Sequence, residues 1–243
     1  MSIKNPLRYP GAKSKLYDYI CKLLIAEQRT GCTFYEPFAG SAAISLLLLE
    51  NQVISKAVLN ELDPLLYNFW FSVFNHTEEL ITLIRNTDIT LENWHEFSLY
   101  RNNDYLQDKT SVQIGFAGLF LNRTNFSGIL KANPLGGLNQ QSQYPINCRF
   151  NKDKIINSIQ QLSLYGNKIT LYNLDAIDFM KQALRYKRNR KTFVYIDPPY
   201  YKEGANLYRC YYTHEQHMLL SKFILSKTYP WLISYDNAEE IRK

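Results

Sequence analysis

Short runs of strand-favouring apolar residues alternate with longer stretches of helical spacing along most of this chain. Leu16, Tyr19, Ile20, Leu23 and Leu24 repeat at the spacing of one helix face. A short strand is predicted at 33–35, then a turn at Gly40 and a helix over 42–49 that Ser41 is placed to cap. KAVLN predicts a second strand, ending in Asn60 and Glu61. From Pro64 to about Tyr105 the pattern is helical, and Leu65, Leu66, Phe69, Trp70, Val73 and Phe74 are dense enough to be core. A further apolar segment, SVQIGFAGLFLNRTNFSG, leads into the least regular part of the chain, where Asn133, Pro134, Gly136, Gly137, Asn139, Gln140 and Gln141 punctuate a loop too long for a mere connection. Beyond it come a predicted amphipathic helix over 153–164, the strand KITLYN, a strand through Val194, Tyr195 and Ile196, and a helix through Met218, Leu219, Phe223 and Ile224. Thr213 and Gln216 open that last helix as a capping box, and a fifth strand follows at 231–234. Short strands alternating with helices predict an α/β fold with a parallel sheet.

Composition narrows the class. At 243 residues, 46% apolar and 21% charged, the chain has the make-up of a soluble globular protein with one sizeable core and room for an inserted subdomain. Its first residues, MSIKNPLRYPGAK, hold no apolar segment of signal-peptide length, and the longest apolar run, around Leu46 to Leu49, is too short to span a bilayer. A cytoplasmic protein without a membrane partner is expected. Cys21, Cys32, Cys148 and Cys210 lie far apart with no paired spacing, which suits reduced structural thiols and implies no metal.

The net charge of +6 points to nucleic acid less directly than its size suggests. Arg185, Lys187, Arg188, Arg190 and Lys191 fall in one run, and without them 23 of the 28 basic residues face 22 acids, a net of +1. The run ends just before the strand through Val194. In an open α/β sheet that is the edge opposite the ligand crevice, so it reads as a solvated helix end.

Candidate chemistry gathers where strands end. TFVYIDPPYY delivers Asp197 from a strand directly into Pro198 and Pro199, followed by Tyr200. The residue before a proline is driven into the extended region, and the two prolines supply carbonyls but no N–H. Such a turn suits a ligand rich in N–H, such as an exocyclic amine on a flat ring that Tyr200 covers; a plain strand-to-loop turn with a surface aromatic is the simpler alternative. The stretch TFYEPFAGSAA reads as a nucleoside-binding strand, turn and helix, and Glu61 follows at a separation suited to ribose hydroxyls. It lacks the three-glycine pattern that seats a pyrophosphate, which argues against NAD or FAD. PGAK before the first helix is no phosphate loop, because Ala12 stands where that loop needs glycine. His214 and His217 are three apart rather than four, which excludes the zinc-protease pattern and leaves both as expected exposed first-turn residues. In the long loop, polar amides with Arg123, Lys131 and Arg149 suit base edges and phosphates, and an ordinary solvated loop accounts for them equally.

In one order the chain carries Tyr9, Gly11 and Lys13, then Glu36-Pro37-Phe38-Ala39-Gly40, Asn60-Glu61, Asp175 and Asp197-Pro198-Pro199-Tyr200. This combination resembles the Dam-type, alpha-group N6-adenine DNA methyltransferases, over nearly the whole chain. The resemblance implies a Rossmann-like methyltransferase sheet with helices on both faces, ordered 3-2-1-4-5. Residues 1–66 would be the cofactor-binding half of a catalytic core, 67–150 a helical and target-recognition insert, and 151–243 the target-base half. It implies that Tyr9, Gly11, Lys13, Glu36, Pro37, Phe38 and Gly40 hold S-adenosylmethionine, with Glu61 on its ribose and Asp175 at its adenine. Asp197, Pro198, Pro199 and Tyr200 would hold a flipped adenine of double-stranded DNA, whose contacts are expected from Arg123, Asn125, Lys131, Gln140, Arg149 and Arg209. A role in restriction-modification is part of the same expectation. An RNA or other amine methyltransferase with the same site, or a DNA-binding relative without activity, would carry the same motifs. Relatives continue past the fifth strand into a helix and an antiparallel strand pair, so this chain is expected to leave its fifth strand as an apolar edge open to self-association.

Overall fold

The computed structural model describes residues 4–8, 16–185 and 191–242. In chain order the elements are α1 (Tyr17–Ala26), β1 (Thr33–Glu36), α2 (Ala43–Glu50), β2 (Lys56–Asn60), α3 (Pro64–Asn75), α4 (Thr77–Asn86), α5 (Leu91–Ser98), α6 (Ser111–Thr124), α7 (Lys152–Ser163), β3 (Ile169–Tyr172), α8 (Ala176–Ala183), β4 (Thr192–Ile196), α9 (Gly204–Leu207), α10 (His214–Leu225), β5 (Trp231–Ile233) and α11 (Glu239–Arg242), with short 3-10 turns between some of them. They divide into two units. The described residues of Lys13–Leu62 and Lys168–Lys243 form a sheet unit, and those of Met1–Ala12 with Asp63–Asn167 form a helical unit.

All strand pairings in the sheet unit are parallel and run in the order β3-β2-β1-β4-β5, as expected. Phe34 lies opposite Ala57 on one side and Phe193 on the other, which makes β1 the centre. β4 is buried at all five positions, as a strand covered on both faces must be, and its apolar run explains why it is so short and so clearly bounded. Val194 and Ile196 pack with Tyr35, Phe179 and Met180 of α8, and Leu220 and Ile224 of α10. Each such side chain contributes roughly 1.5–3 kcal/mol by leaving water. α1 buries Ile20 and Leu24 but leaves Tyr19 58% exposed, so its apolar face is narrower than the sequence pattern. α2 begins one residue later than expected. Its N-cap is Ala42 in a left-handed conformation (φ 50°), with no side-chain cap, so Ser41 does not serve as one.

The helical unit is built around α6, which is buried along most of its length. A Cβ on Gly115 would sit on the Asn68 carbonyl, and one on Gly118 on the Leu65 carbonyl. These two glycines let the α6 and α3 backbones touch, which no larger residue permits. Thr110 and Gln113 form a capping box at the start of α6. α7 buries Ile155, Ile156, Ile159 and Leu162 and packs on α3 and α4. The helical unit therefore reaches beyond the 67–150 boundaries expected for the insert: an apolar stripe shows that a helix is buried but not against which neighbour. No helix among the described residues is long and apolar enough to cross a membrane.

Candidate active site

Because the strands are parallel and adjacent, the residues that end them meet on one edge of the sheet. Glu36 closes β1, Glu61 follows β2, Asp175 caps α8 after β3, Asp197 follows β4 and Asp236 lies just past β5. Five carboxyl side chains thus mark the same edge.

Asn60 braces this edge. Fully buried at the end of β2, it donates to the Pro37 and Leu174 carbonyls, each at 2.9 Å, and accepts from the Leu174 amide at 3.0 Å. One side chain thereby ties the loops after β1 and β3 to β2. Glu61 completes the brace, accepting from the Gly40 amide at 2.8 Å. That amide faces Glu61 because Gly40 takes a left-handed conformation (φ 49°) and Ala42 repeats it two residues on. The Pro-Phe-Ala-Gly turn is therefore held by a carboxylate rather than by a helix cap.

Glu36 is 3% exposed, and its Oε2 has no hydrogen-bond partner. Burial is the main cause that pushes its carboxyl up to about 8; Ser45 beside it pulls down, and the Asp197 charge adds to the rise. Phe38 is half-buried and meets the Tyr212 ring edge-on at 5.3 Å. Tyr212 in turn donates to Asp175 Oδ2 at 2.8 Å, while Asp175 Oδ1 accepts from the Ile177 amide at 2.8 Å.

At the end of β4, Asp197 is half-buried and Pro198 buried, with Pro199 and Tyr200 partly open. Ser234 donates to Asp197 Oδ1 at 2.5 Å and also lies 3.0 Å from the Tyr195 hydroxyl. Asp236 accepts from the Tyr201 amide at 2.8 Å and the Lys202 amide at 3.3 Å, so the segment after β5 fixes both ends of the Asp-Pro-Pro-Tyr turn. Tyr208 stands edge-on to Tyr200, centroids 6.1 Å apart, and burial is the first cause that raises its hydroxyl pKa. His217, expected to be exposed, is 4% exposed and bonds the Tyr235 hydroxyl at 2.9 Å. Burial lowers its pKa first of all. The histidine spacing carried no hint of this, because the buried face of α10 is set by Leu220 and Ile224 further along.

This acceptor-rich edge fits S-adenosylmethionine. That molecule brings a sulfonium, an ammonium, a ribose diol and an exocyclic amine, all of which seek acceptors or negative charge, and the orphaned buried oxygen of Glu36 is an acceptor still to be used. A pyrophosphate would be repelled by the same carboxylates. Fold and edge together define an S-adenosylmethionine-dependent methyltransferase. Residues 9–243 match the D12 class N6 adenine-specific DNA methyltransferases, and the chain belongs to that family. It is similar to "Type II methyltransferase M.MjaIII" of Methanocaldococcus jannaschii, 25% identical over 210 residues that cover 82% of this chain and 70% of the relative. It also resembles "Type II methyltransferase M1.LlaDCHI" of Lactococcus lactis subsp. cremoris, 27% identical over 86% of this chain and 69% of the relative. A third relative, "Type II methyltransferase M.CviBI" of Paramecium bursaria Chlorella virus NC1A, is 27% identical over 79% and 68%. The chain is thus an enzyme of DNA adenine-N6 methylation with S-adenosylmethionine as donor.

Tyr9, Gly11 and Lys13 lie outside the described residues, as do Lys187, Arg188 and Arg190 of the basic run. In the helical unit two of the expected DNA contacts make hydrogen bonds within their own loop. Asn125 is 0% exposed; its Oδ1 accepts from the Trp94 indole at 2.7 Å and its amide donates to the Ile129 and Leu130 carbonyls. Gln140 accepts from the Ile146 amide and donates to the Leu135 and Gly137 carbonyls, stapling the long loop. Both amides hold the backbone of their own loop, a role that polar composition alone does not reveal. Lys131 and Arg149 are exposed, and Arg209 is half-buried on the loop before Tyr212. Arg123 is half-buried with its Nε unpartnered; burial, then the Arg8 and Arg149 charges, brings its guanidinium down to about 10. Arg8 is lowered too, by burial and then by Arg149. Asn122, also fully buried, grips Arg8 in both directions, accepting from its amide at 2.7 Å and donating to its carbonyl at 2.6 Å. Sequence reading missed Arg8, since one arginine near the N-terminus has no spacing partner.

Proposed function

We propose that Asp197 and the Pro198 carbonyl hold the amine of an extruded adenine while Tyr200 covers its ring. The observation that carries this reading is the turn itself: a carboxylate fixed at the end of a fully buried strand, two prolines that offer no competing N–H, and a half-open tyrosine. Adenine N6 is a weak nucleophile because its lone pair is delocalised into the ring, and acceptors on its two hydrogens favour the pyramidal form that can attack. When bound, S-adenosylmethionine supplies an electrophilic methyl carbon and a neutral thioether leaving group. Glu61 would hold its ribose diol, Asp175 its adenine amine, and Glu36 with the Phe38–Gly40 turn its cationic end. Asp197 needs no perturbed basicity, since the amine becomes acidic once methylated; position and charge carry the rate. The base must leave the stack first, because N6 inside a duplex cannot meet the methyl carbon in line.

DNA phosphates are assigned to Arg8, Arg123 and Arg149, with Lys131 and Arg209 as further contacts; burial, then the Arg149 charge, lowers the pKa of Arg8, and burial, then the Arg8 and Arg149 charges, that of Arg123. The relatives' names, all Type II methyltransferases, support a place in restriction-modification, and the family supports a cytoplasmic one. The β5 edge, where Trp231, Leu232 and Ile233 are partly open, supports association with a second copy.

The test is transfer of label from S-adenosylmethionine to duplex DNA, RNA or protein. Methyl-N6-adenine in DNA is the expected product, and label in RNA or protein instead would overturn the substrate. Asp197→Ala should keep cofactor binding and lose roughly 10²-fold or more in transfer, the scale of one preorganised polar partner.

A further inference from the structure

The two prolines of the Asp-Pro-Pro-Tyr turn carry no N–H, so the first backbone donors past them belong to Tyr200, Tyr201 and Lys202. Two of these end on one side chain: Asp236 Oδ1 accepts from the Tyr201 amide at 2.8 Å and Oδ2 from the Lys202 amide at 3.3 Å. The sheet brings them together. β5 pairs with β4 in parallel, Ile233 opposite Ile196, so the chain past β5 runs beside the chain past β4 and Asp236 reaches Tyr201 across 35 positions. Asp236 is itself held on either side. The Tyr235 hydroxyl bonds the buried His217 of α10 at 2.9 Å, and Ala238, 0% exposed, donates its amide to the Asp236 carbonyl at 2.9 Å. Tyr201 is gripped at its other end as well, its hydroxyl 2.9 Å from His214 Nδ1 and its ring 5.3 Å from that of His217.

We infer that Asp236 is a positioning residue for the reaction: by fixing the backbone directly after Tyr200, it sets where the Tyr200 ring lies over the extruded adenine. The inference rests on the reading of Tyr200 as the cover of that base. Proline holds φ at about −65°, so two in succession make a stiff lever, and a shift at its exit tilts the neighbouring ring instead of being absorbed in the turn. The edge-on packing of Tyr208 acts on the Tyr200 side chain, whereas Asp236 acts on the backbone that carries it. In-line transfer depends on placement at the ångström scale, so looseness here is expressed in turnover. The proposed contacts to S-adenosylmethionine and to DNA phosphates lie on other residues, so binding of both should change little.

The experiment measures kcat, the KM for S-adenosylmethionine and the KM for unmethylated DNA of mixed sequence. It uses full chains of Asp236→Ala, Asp236→Asn, Tyr200→Ala and the double variant Tyr200→Ala with Asp236→Ala, each checked for a cooperative melt. Asp236→Ala should lower kcat about tenfold with both KM values within about twofold. Asp236→Asn keeps an acceptor for the Tyr201 amide and should recover most of the loss. In the double variant the Asp236 change should add less than about twofold to the loss from Tyr200→Ala, because it acts through that ring. If Asp236→Ala does not melt cooperatively, Asp236→Ser, whose hydroxyl is a bond shorter than the carboxylate, takes its place in the same comparison. Normal turnover of Asp236→Ala beside an impaired Tyr200→Ala overturns the inference and leaves Tyr200 in its role. A fully additive double variant, an equal loss in Asp236→Asn and Asp236→Ala, or a loss expressed in KM overturns it as well. Normal turnover of Tyr200→Ala would remove the underlying reading and this inference with it.

Discussion

Tyr212 donates a 2.8 Å hydrogen bond to Asp175, the residue proposed above to meet the adenine of the cofactor. Its ring also lies edge-on to Phe38 in the turn after β1, so one side chain links two parts of the proposed cofactor site. Tyr212→Phe keeps the ring and removes the bond. A net hydrogen bond of about 0.5–1.5 kcal/mol predicts an S-adenosylmethionine affinity roughly 2- to 10-fold weaker, with kcat little changed. Calorimetric titration of the cofactor checks this; unaltered affinity would separate Tyr212 from cofactor binding.

Glu36 gives the unliganded protein a pH dependence of definite sign. Its carboxyl ionises near 4.5 in the unfolded chain and at about 8 in the fold, chiefly because it is buried. Between those values the folded state holds the extra proton. The stability it contributes is complete below about 4.5 and is lost as pH rises through 8, at up to roughly 1.4 kcal/mol per pH unit. Thermal melts of the cofactor-free protein from pH 5 to 9 should show this decline, and Glu36→Gln should flatten it. A cation bound beside Glu36 favours the charged form, so cofactor binding near pH 7 should release a proton, measurable as a buffer-dependent binding enthalpy.

Gly115→Ala and Gly118→Ala should each destabilise the helical unit. The added methyl would press on the Asn68 or Leu65 carbonyl, and backbone cannot swing aside as a side chain can. Overpacking of this kind costs about 1–3 kcal/mol or more, read as a lower denaturant midpoint. A rise, from the better helix propensity of alanine, would mean that α6 and α3 have room to part.

Asn125 and Arg149 should separate cleanly in a DNA-binding assay. Asn125→Ala leaves the Trp94 indole and two carbonyls without their partner, which predicts a loss of a few kcal/mol in stability. Arg149→Ala and Lys131→Ala should leave stability alone, weaken DNA binding, and each reduce the slope of log K against log salt by about 1. An unchanged slope would remove them from the phosphate contacts.

The sheet could be read from the chain because each strand is a short apolar run ended by a polar residue, and such boundaries are local. The residues after those ends could be listed for the same reason, from Glu36 to Asp197. Their partners could not. Asn60 reaches Leu174 across 114 positions, and Ser234 reaches Asp197 across 37, and nothing in the spacing of either pair marks the contact. The loop-holding bonds of Asn125 and Gln140 were hidden too, since an amide that reads a base and one that staples a loop look the same in sequence. The Gly115 and Gly118 pair was visible on α6, but only the helix it touches gives it a meaning.

The grip of Asn122 on Arg8 also bears on how the chain is made. Synthesis proceeds from the N-terminus, so the peptide of Arg8 emerges long before the amide that pairs with it in both directions, 114 residues later. Gly128, whose carbonyl Asn122 also binds at 3.0 Å, arrives later still. The opening segment must therefore wait on the ribosome for the end of α6, and a closure of that length is entropically slow compared with forming the helices between. A nascent chain arrested before residue 122 should leave this segment open to protease while α3 to α5 have already been made.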